Sequence, residues 1–234
     1  MTPHPTTDAG GRSVLEVRDL AKTFEMNGGP RPALAALTFS IYAGEMVCVL
    51  GRSGCGKTTL LNLLAGFIPP SSGDAAVDGR TITGPGPDRC VVFQQPALFP
   101  WLTVKENVAF GLWHKGGAAR TIWTETQRHI EMVGLSAFSE YMTDQISGGM
   151  AQRVALARVL VMRPRLLLMD EPFASLDAVT RNEMHDLLLS IWAAERITAL
   201  FVTHSLEEAV KLADRIIVIQ GRPGRIVAEV PVEI

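Results

Sequence analysis

Residues 46–59 read MVCVLGRSGCGKTT, and this stretch decides the fold. Met46 to Leu50 is continuously apolar, the pattern of a strand buried on both faces. Glycine then recurs at Gly51, Gly54 and Gly56, and a helix is expected from about Lys57 to Ala65. Strand, glycine-rich loop and helix in that order curl successive backbone N–H groups inward around an anion. The helix adds the positive end of its dipole. Gly51-Arg52-Ser53-Gly54-Cys55-Gly56-Lys57-Thr58-Thr59 therefore matches the P-loop pattern. Its chemistry is the cradling of a nucleoside triphosphate, with Lys57 reaching the β- and γ-phosphates and the Thr58 hydroxyl ligating Mg²⁺. A glycine-rich turn with an accidental lysine is the bland alternative, and the flanking strand and helix speak against it.

Working outward, the chain has 234 residues, of which 47% are hydrophobic and 20% charged, enough for one globular domain with a real core. A formal net charge of -2 provides no global attraction to nucleic acid, so anion binding must be local. Mean hydropathy is +0.19, yet no uninterrupted apolar run approaches the roughly 20 residues of a spanning helix. Cys48, Cys55 and Cys90 make an odd count without close pairing, which argues against a disulfide framework or a zinc site and for a reducing cytosol. Residues 1–12, rich in Thr, Pro and Gly and without an apolar stretch, read as a disordered tail and not a signal peptide. Residues 13–234 read as the folded domain.

Leu15 and Val17, then Leu37, Phe39 and Ile41, alternate as half-buried strands do, with Asn27-Gly28-Gly29-Pro30 as a turn between them. The stretch from about Phe99 to Asp144 is different. Thr103-x-x-Glu106 and Thr124-x-x-Gln127 have the form of capping boxes, with Gly116-Gly117 separating the helices they open. This reads as a helical insertion, extending over about 99–160 with the helix that follows. Beyond it come a helix from Ala151 to Val161, a strand from Leu166 to Met169, a helix from Ala178 to Ala194 and a strand from Thr198 to Thr203. A further capping box, Ser205-x-x-Glu208, opens a helix to about Leu212, and Ile216 to Ile219 is another strand. Arg222-Pro223-Gly224 turns the chain into a last one. Alternating strand and helix argue for a parallel sheet covered on both sides.

The strand Leu166–Met169 runs into Asp170-Glu171. Buried strands rarely end in paired acids without a cation or a reaction nearby. Asp170 is expected to hold Mg²⁺ through water and Glu171 to polarise the attacking water as general base. Solvated acids at a strand end are common, but a P-loop upstream argues against that reading.

Ser147-Gly148-Gly149 precedes a helix carrying Gln152 and Arg153. Here the chain resembles the ATP-binding-cassette (ABC) family, which has a serine–glycine–glycine signature between its P-loop and acidic strand. The tripeptide alone would be a flexible loop; its order and distance from the other motifs carry the resemblance. The resemblance covers nearly everything after residue 12. It implies an α/β fold: a P-loop NTPase core with a mostly parallel sheet, an N-terminal antiparallel β subdomain and the helical insertion. It implies ATP hydrolysis with Mg²⁺ by a head-to-tail homodimer. In that dimer Ser147, Gly148 and Gly149 face the γ-phosphate held by the P-loop of the opposite subunit. Gln94 matches the glutamine that senses Mg²⁺ and water near the membrane partner, and Asp177 in Ser175-Leu176-Asp177 the loop crossing the dimer interface. His204 matches the switch histidine on the γ-phosphate, and Phe24 the ring stacked on adenine. A core strand residue is the alternative for Phe24.

Narrower stretches, Gly84-Pro85-Gly86-Pro87-Asp88-Arg89, Phe99-Pro100-Trp101 and Arg222-Pro223-Gly224-Arg225-Ile226, look like ATPases that serve importers of nitrate, sulfonate or taurine. The partners implied are transmembrane permease subunits and, indirectly, a solute-binding protein, with the chain peripheral on the cytoplasmic face of the inner membrane. Ile146 and Met150 depart from the leucine and glutamine that commonly bracket the signature, which predicts altered packing without loss of activity. A DNA-repair or chromosome-structure ATPase with the same head is the rival, but it inserts a long coiled coil between P-loop and acidic strand, and no sustained heptads occur here. Cys55, near Lys57 and a helix N-terminus, is expected to be a reactive thiol. Phe99-Pro100-Trp101 is expected to touch the permease, to act as a hydrophobic staple on the helix starting at Thr103, or both.

Overall fold

The computed structural model describes residues 13–232; the expected tail, residues 1–12, lies outside them. β1 (Ser13–Met26) and β2 (Gly29–Tyr42) form a hairpin whose turn is Asn27-Gly28, with Gly29 and Pro30 of the expected four-residue turn already paired in β2, and with Leu15 opposite Ile41 and Val17 opposite Phe39. β3 (Met46–Leu50) leads through the glycine loop into α1 (Lys57–Ala65). Next come β4 (Ser72–Val77), β5 (Arg80–Thr81) and β6 (Arg89–Val92), then α2 (Val104–Lys115), α3 (Ala119–Met132) and α4 (Gly148–Leu160). The remaining elements are β7 (Leu166–Asp170), α5 (Ala178–Glu195), β8 (Ala199–Thr203), α6 (Leu206–Leu212), β9 (Arg215–Gln220) and β10 (Arg225–Pro231).

The strands make two sheets. One is four-stranded and antiparallel, in the order β2-β1-β4-β5. The other is six-stranded in the order β10-β9-β3-β8-β7-β6, parallel except for the edge strand β10. The α/β architecture with a mostly parallel sheet is thus observed. The central strands divide their side chains by parity. Met46, Cys48, Leu167, Met169 and Phe201 pack with the helices α2 to α6. Val47, Val49, Leu166, Leu168 and Leu200 pack with α1 and the antiparallel sheet. Both faces are dry, as the apolar run of β3 requires.

Between β6 and β7 lie α2, α3, two short 3-10 turns and α4, with no coiled-coil arm among the described residues. The Thr103 capping box is present: Glu106 N donates to Thr103 Oγ1 at 3.3 Å and Thr103 N to Glu106 Oε2 at 2.8 Å. The Thr124 box is not. α3 starts at Ala119, and the Thr124 hydroxyl donates to Arg120 O at 2.9 Å inside the helix. Buried Ile122, Thr126, His129 and Ile130 show why: the inward stripe begins before Thr124 and extends the helix through it. The hydrophobic staple takes another form: Phe99 packs on the helix through Phe110, ring centroids 4.2 Å apart, while the usual staple position is Asn107, a polar residue with 0% exposure. Its amide holds the preceding loop instead, accepting from Phe99 N at 2.9 Å and donating to Phe99 O, Leu102 O and Thr103 O at 3.0–3.2 Å.

Asn107→Ala would leave the half-buried Phe99 N and Leu102 O unpaired, whereas Phe99 O and Thr103 O keep backbone donors, at a cost of about 2–3 kcal/mol. The variant should melt roughly 4–12 °C below wild type by calorimetry. A melting temperature equal to wild type would show that the 99–103 loop is held by its aromatic contacts alone.

Candidate nucleotide site

The strand ends at one edge of the parallel sheet converge. Leu50 pairs with Thr203 and Asp170 with Val202, so the phosphate loop, Glu171 and His204 leave the sheet side by side. The loop can only be glycine at its turning points. Gly54 and Gly56 have φ of 79° and 98°, and a Cβ on Gly56 would fall 2.6 Å from Leu34 Cδ2. A Cβ on Gly51 would meet Ile219 O at 2.5 Å. Gly56 is the N-cap of α1 and supplies no side-chain cap, so the first-turn amides are left free, as oxyanion binding requires.

Phe24, Ser53, Gly54, Gly56, Lys57, Thr58, Thr59 and Glu171 line one cleft of about 360 Å³. Phe24 is exposed in it, with Lys22 Nζ 5.2 Å from its ring centroid, which excludes the core-residue alternative. Lys57 is only 5% exposed. Its ammonium donates to Gly51 O at 2.7 Å and Arg52 O at 3.3 Å, and Glu171 Oε1 lies 3.5 Å away. Glu171 also meets His204, Nδ1 to Oε2 at 2.8 Å. Glu171 sits at φ 45°, a left-handed conformation costly for a residue with a side chain, while its N–H donates to Val202 O at 3.0 Å. From that backbone position the carboxylate reaches both Lys57 and His204.

Thr58 Oγ1 lies 3.4 Å from Asp170 Oδ1. Burial, and after it the adjacent Glu171 charge, raise the Asp170 carboxyl above its ordinary value, against the Thr58 hydrogen bond and Lys57. Neighbouring carboxylates and a hydroxyl are hard oxygen donors with an excess of negative charge, a set that fits Mg²⁺.

Other expected site residues are placed elsewhere. Gln94 is exposed on the loop after β6 and does not line the cleft. Ser147 caps α4, its Oγ accepting from Met150 N at 3.3 Å, with Ser147 and Gly148 exposed and outside the cleft. Asp177 spends its carboxylate on capping α5, accepting from Val179 N and Thr180 N at 3.0 Å. A Cβ on Gly149 would touch Thr180 Cγ2 at 2.5 Å, so the signature turn and the Asp177 cap pack together. Cys55 contradicts its expected reactivity. Its side chain is buried beneath the loop, where a Cβ on Gly51 would be 2.7 Å from its Sγ, and it does not line the cleft.

Several residues escaped motif reading. Gln152 Nε2 donates to Phe93 O at 3.1 Å, and Arg158 donates to Ala97 O at 2.9 Å and Pro96 O at 3.0 Å. The loop holding Gln94 is therefore gripped at both ends by α4. Ser205 caps α6 through Glu208 N, but the Glu208 side chain does not return to complete the box. It is buried, accepting from the Thr203 hydroxyl and lying 3.2 Å from His185 Nε2. Thr203 Oγ1 in turn accepts from Ser205 N at 3.0 Å, which braces the backbone on either side of His204. A Glu three residues after a cap looks like a box in any sequence; its partners His185 and Thr203 come from other elements.

A phosphate loop, an opposed acid pair, a histidine on the acid and a separate serine–glycine–glycine helix terminus define a P-loop nucleoside-triphosphatase of the two-motif kind. The ABC transporter family profile matches residues 34–174. A nitrate import ATP-binding protein, NrtD, of Synechocystis is 46% identical over 220 residues, 94% of this chain and 83% of that protein. A taurine import ATP-binding protein, TauB, of Burkholderia pseudomallei is 51% identical over 214 residues, 92% of this chain and 82% of that one. Among solved structures, a dimeric post-hydrolysis ATP-binding cassette bound to ADP and Pi superposes with a TM-score of 0.81 at 29% identity, covering 94% of this chain and 99% of that one. The chain belongs to the ABC transporter family and is an ATP-binding ATPase.

The brace at Glu208 gives a pH dependence. Burial opposes its charge, but hydrogen bonds from His185 and Thr203, with Arg181 nearby, outweigh that and hold its carboxyl below the ordinary value; buried Cys48 also faces it. A depressed carboxyl contributes stability above its unfolded value, lost as pH falls through the folded one. Glu208→Gln should therefore melt below wild type at pH 7, with the gap closing below about pH 4. A gap independent of pH would assign the loss to packing and not to charge.

Proposed function

We propose that this ATPase is the nucleotide-hydrolysing subunit of a solute importer, working as a head-to-tail homodimer beneath a transmembrane permease fed by a solute-binding protein. The observation that carries this reading is that one chain holds two separate half-sites. Lys57 and Glu171 share a cleft, with His204 held on Glu171 at its edge, whereas the exposed Ser147-Gly148 turn lies outside it. Two copies arranged head to tail would bring the Ser147–Gly149 turn of each to the γ-phosphate in the other, with Asp177 at the crossing. The likeness to a dimeric cassette supports this arrangement. The names of the relatives support uptake of nitrate, a sulfonate or taurine.

Lys57 and the loop amides bind the phosphates, and Phe24 stacks on adenine. Glu171 accepts a proton from the water that attacks the γ-phosphorus, as the bond to the ADP oxygen breaks and phosphate leaves. His204 holds Glu171 and contacts the γ-phosphate. Thr58, Asp170 and Gln94 are the residues that would hold Mg²⁺, which supplies charge neutralisation on the phosphates. Among the described residues no helix is long and apolar enough to cross a membrane. A peripheral place on the cytoplasmic face follows from the partnership, with permease docking at the helical segment 99–160 and the Gln94 loop. Trp101 is 68% exposed there, its ring 5.6 Å from Phe99, and exposed Phe93 stacks with Phe67 at 6.2 Å.

Glu171→Gln should lower ATP turnover by about 10²–10⁴-fold and accumulate an ATP-bound dimer on size-exclusion chromatography. Wild-type turnover in that variant would sink its role as base. Trp101→Ala removes a side chain that the fold leaves in solvent. It should leave melting and ATP affinity as in wild type while weakening permease recovery in pull-downs, by about 2 kcal/mol or more. Undiminished recovery would move the docking surface elsewhere.

A further inference from the structure

The turn joining β9 to β10 brings a cation to the nucleotide cleft. Arg222 lines that cleft beside Ser53 and Gly54. A Cβ on Gly54 would stand 2.5 Å from Arg222 Nη2 and 3.3 Å from its Cζ, so the guanidinium lies against the phosphate loop itself. Backbone contacts set this position. Gly224 N donates to Ala33 O at 2.9 Å, and Ala35 N donates to Gly224 O at 3.0 Å. On the other side, Gly224 packs so tightly that a Cβ would fall 2.0 Å from Cys55 O. The turn is clamped between β2 and the loop.

Three cations line this cleft, Arg31, Lys57 and Arg222, and the last two differ in their partners. Lys57 is shared among Gly51 O, Arg52 O and Glu171. The Arg222 side chain is exposed, and among the described residues its guanidinium takes part in no hydrogen bond or ion pair. A planar fork of N–H donors, uncommitted and placed beside a hollow of backbone amides, is suited to an oxyanion of the same ligand. Its side of the cleft follows from register. Ala33 adjoins Pro32 and Arg31, which pair with Thr23 and Phe24 across the hairpin, so the turn approaches from the end that holds the Phe24 ring. Glu171 and His204 mark the opposite, γ-phosphate end.

We infer that Arg222 is a further substrate-binding residue, donating charge-assisted hydrogen bonds to the α- and β-phosphates of the bound nucleotide; the inference rests on the nucleotide-site reading above. It predicts equal service to ATP and ADP. The test is titration of the full chain with methylanthraniloyl-labelled ATP and ADP in the presence of Mg²⁺. R222Q should weaken both about tenfold, and R222K, which keeps the charge and loses the fork, should fall between it and wild type. In wild-type protein, phenylglyoxal modification of Arg222, followed by mass spectrometry, should be slowed by MgADP, a readout that needs no variant to fold. R222Q affinities within about twofold of wild type, with K57A losing its affinity, would overturn the Arg222 contact and leave the site reading standing. A loss confined to ATP, or modification unaffected by MgADP, would overturn it too. Wild-type affinity in both K57A and F24A would instead remove the nucleotide-site reading itself.

Discussion

A strand buried on both faces can offer polar chemistry only at its end, and that constraint organises this molecule. β3, β7 and β8 send alternate side chains into two dry cores. Everything catalytic must therefore sit where these strands stop. Parallel pairing aligns the stops: Leu50 beside Thr203, and Asp170 beside Val202. The glycine loop, the acid pair and His204 are neighbours because their strands are in register and point the same way. The loop then packs against β2 and β9 so closely that Gly51 and Gly56 admit no side chain.

The second consequence concerns communication along α4. Its N-terminus is the Ser147 cap, and its body holds the 93–97 loop through Gln152 and Arg158. Gly149 meanwhile packs on Thr180, which the Asp177 cap fixes at the start of α5. α4 therefore joins the signature turn to the Gln94 loop, and direct contact joins that turn to the Asp177 segment. Asn107 keeps the 99–103 loop in place from the other side, leaving Trp101 in solvent.

Local signals were legible where one stretch of chain satisfies its own groups. The Thr103 box closes over three residues and is found as read. The bounds of α1 and the turn at Asn27-Gly28 are also local matters. Thr124 and Glu208 show the failure of the same rule. Thr124 belongs to a helix whose buried stripe starts upstream, and Glu208 answers to His185 and Thr203, which are brought to it by other elements. Cys55 was misjudged because its place in the loop says nothing of which way its side chain turns; packing under Gly51 turns it inward.

The sequence by itself determined the α/β class, the phosphate loop and the ordered set of motifs, since these rest on short-range periodicity and on glycines at fixed spacing. Only the tertiary structure decided which of those residues meet. Lys57 and Glu171 are far apart in the chain and 3.5 Å apart in space, whereas Ser147, nearer to Glu171 in sequence, lies outside their cleft. The same folding placed Arg222 against Gly54, a contact between the edge hairpin and the loop of a central strand. The physical reason is that strand order and register are set by how two cores close around one sheet, a condition on the whole chain that no local segment carries.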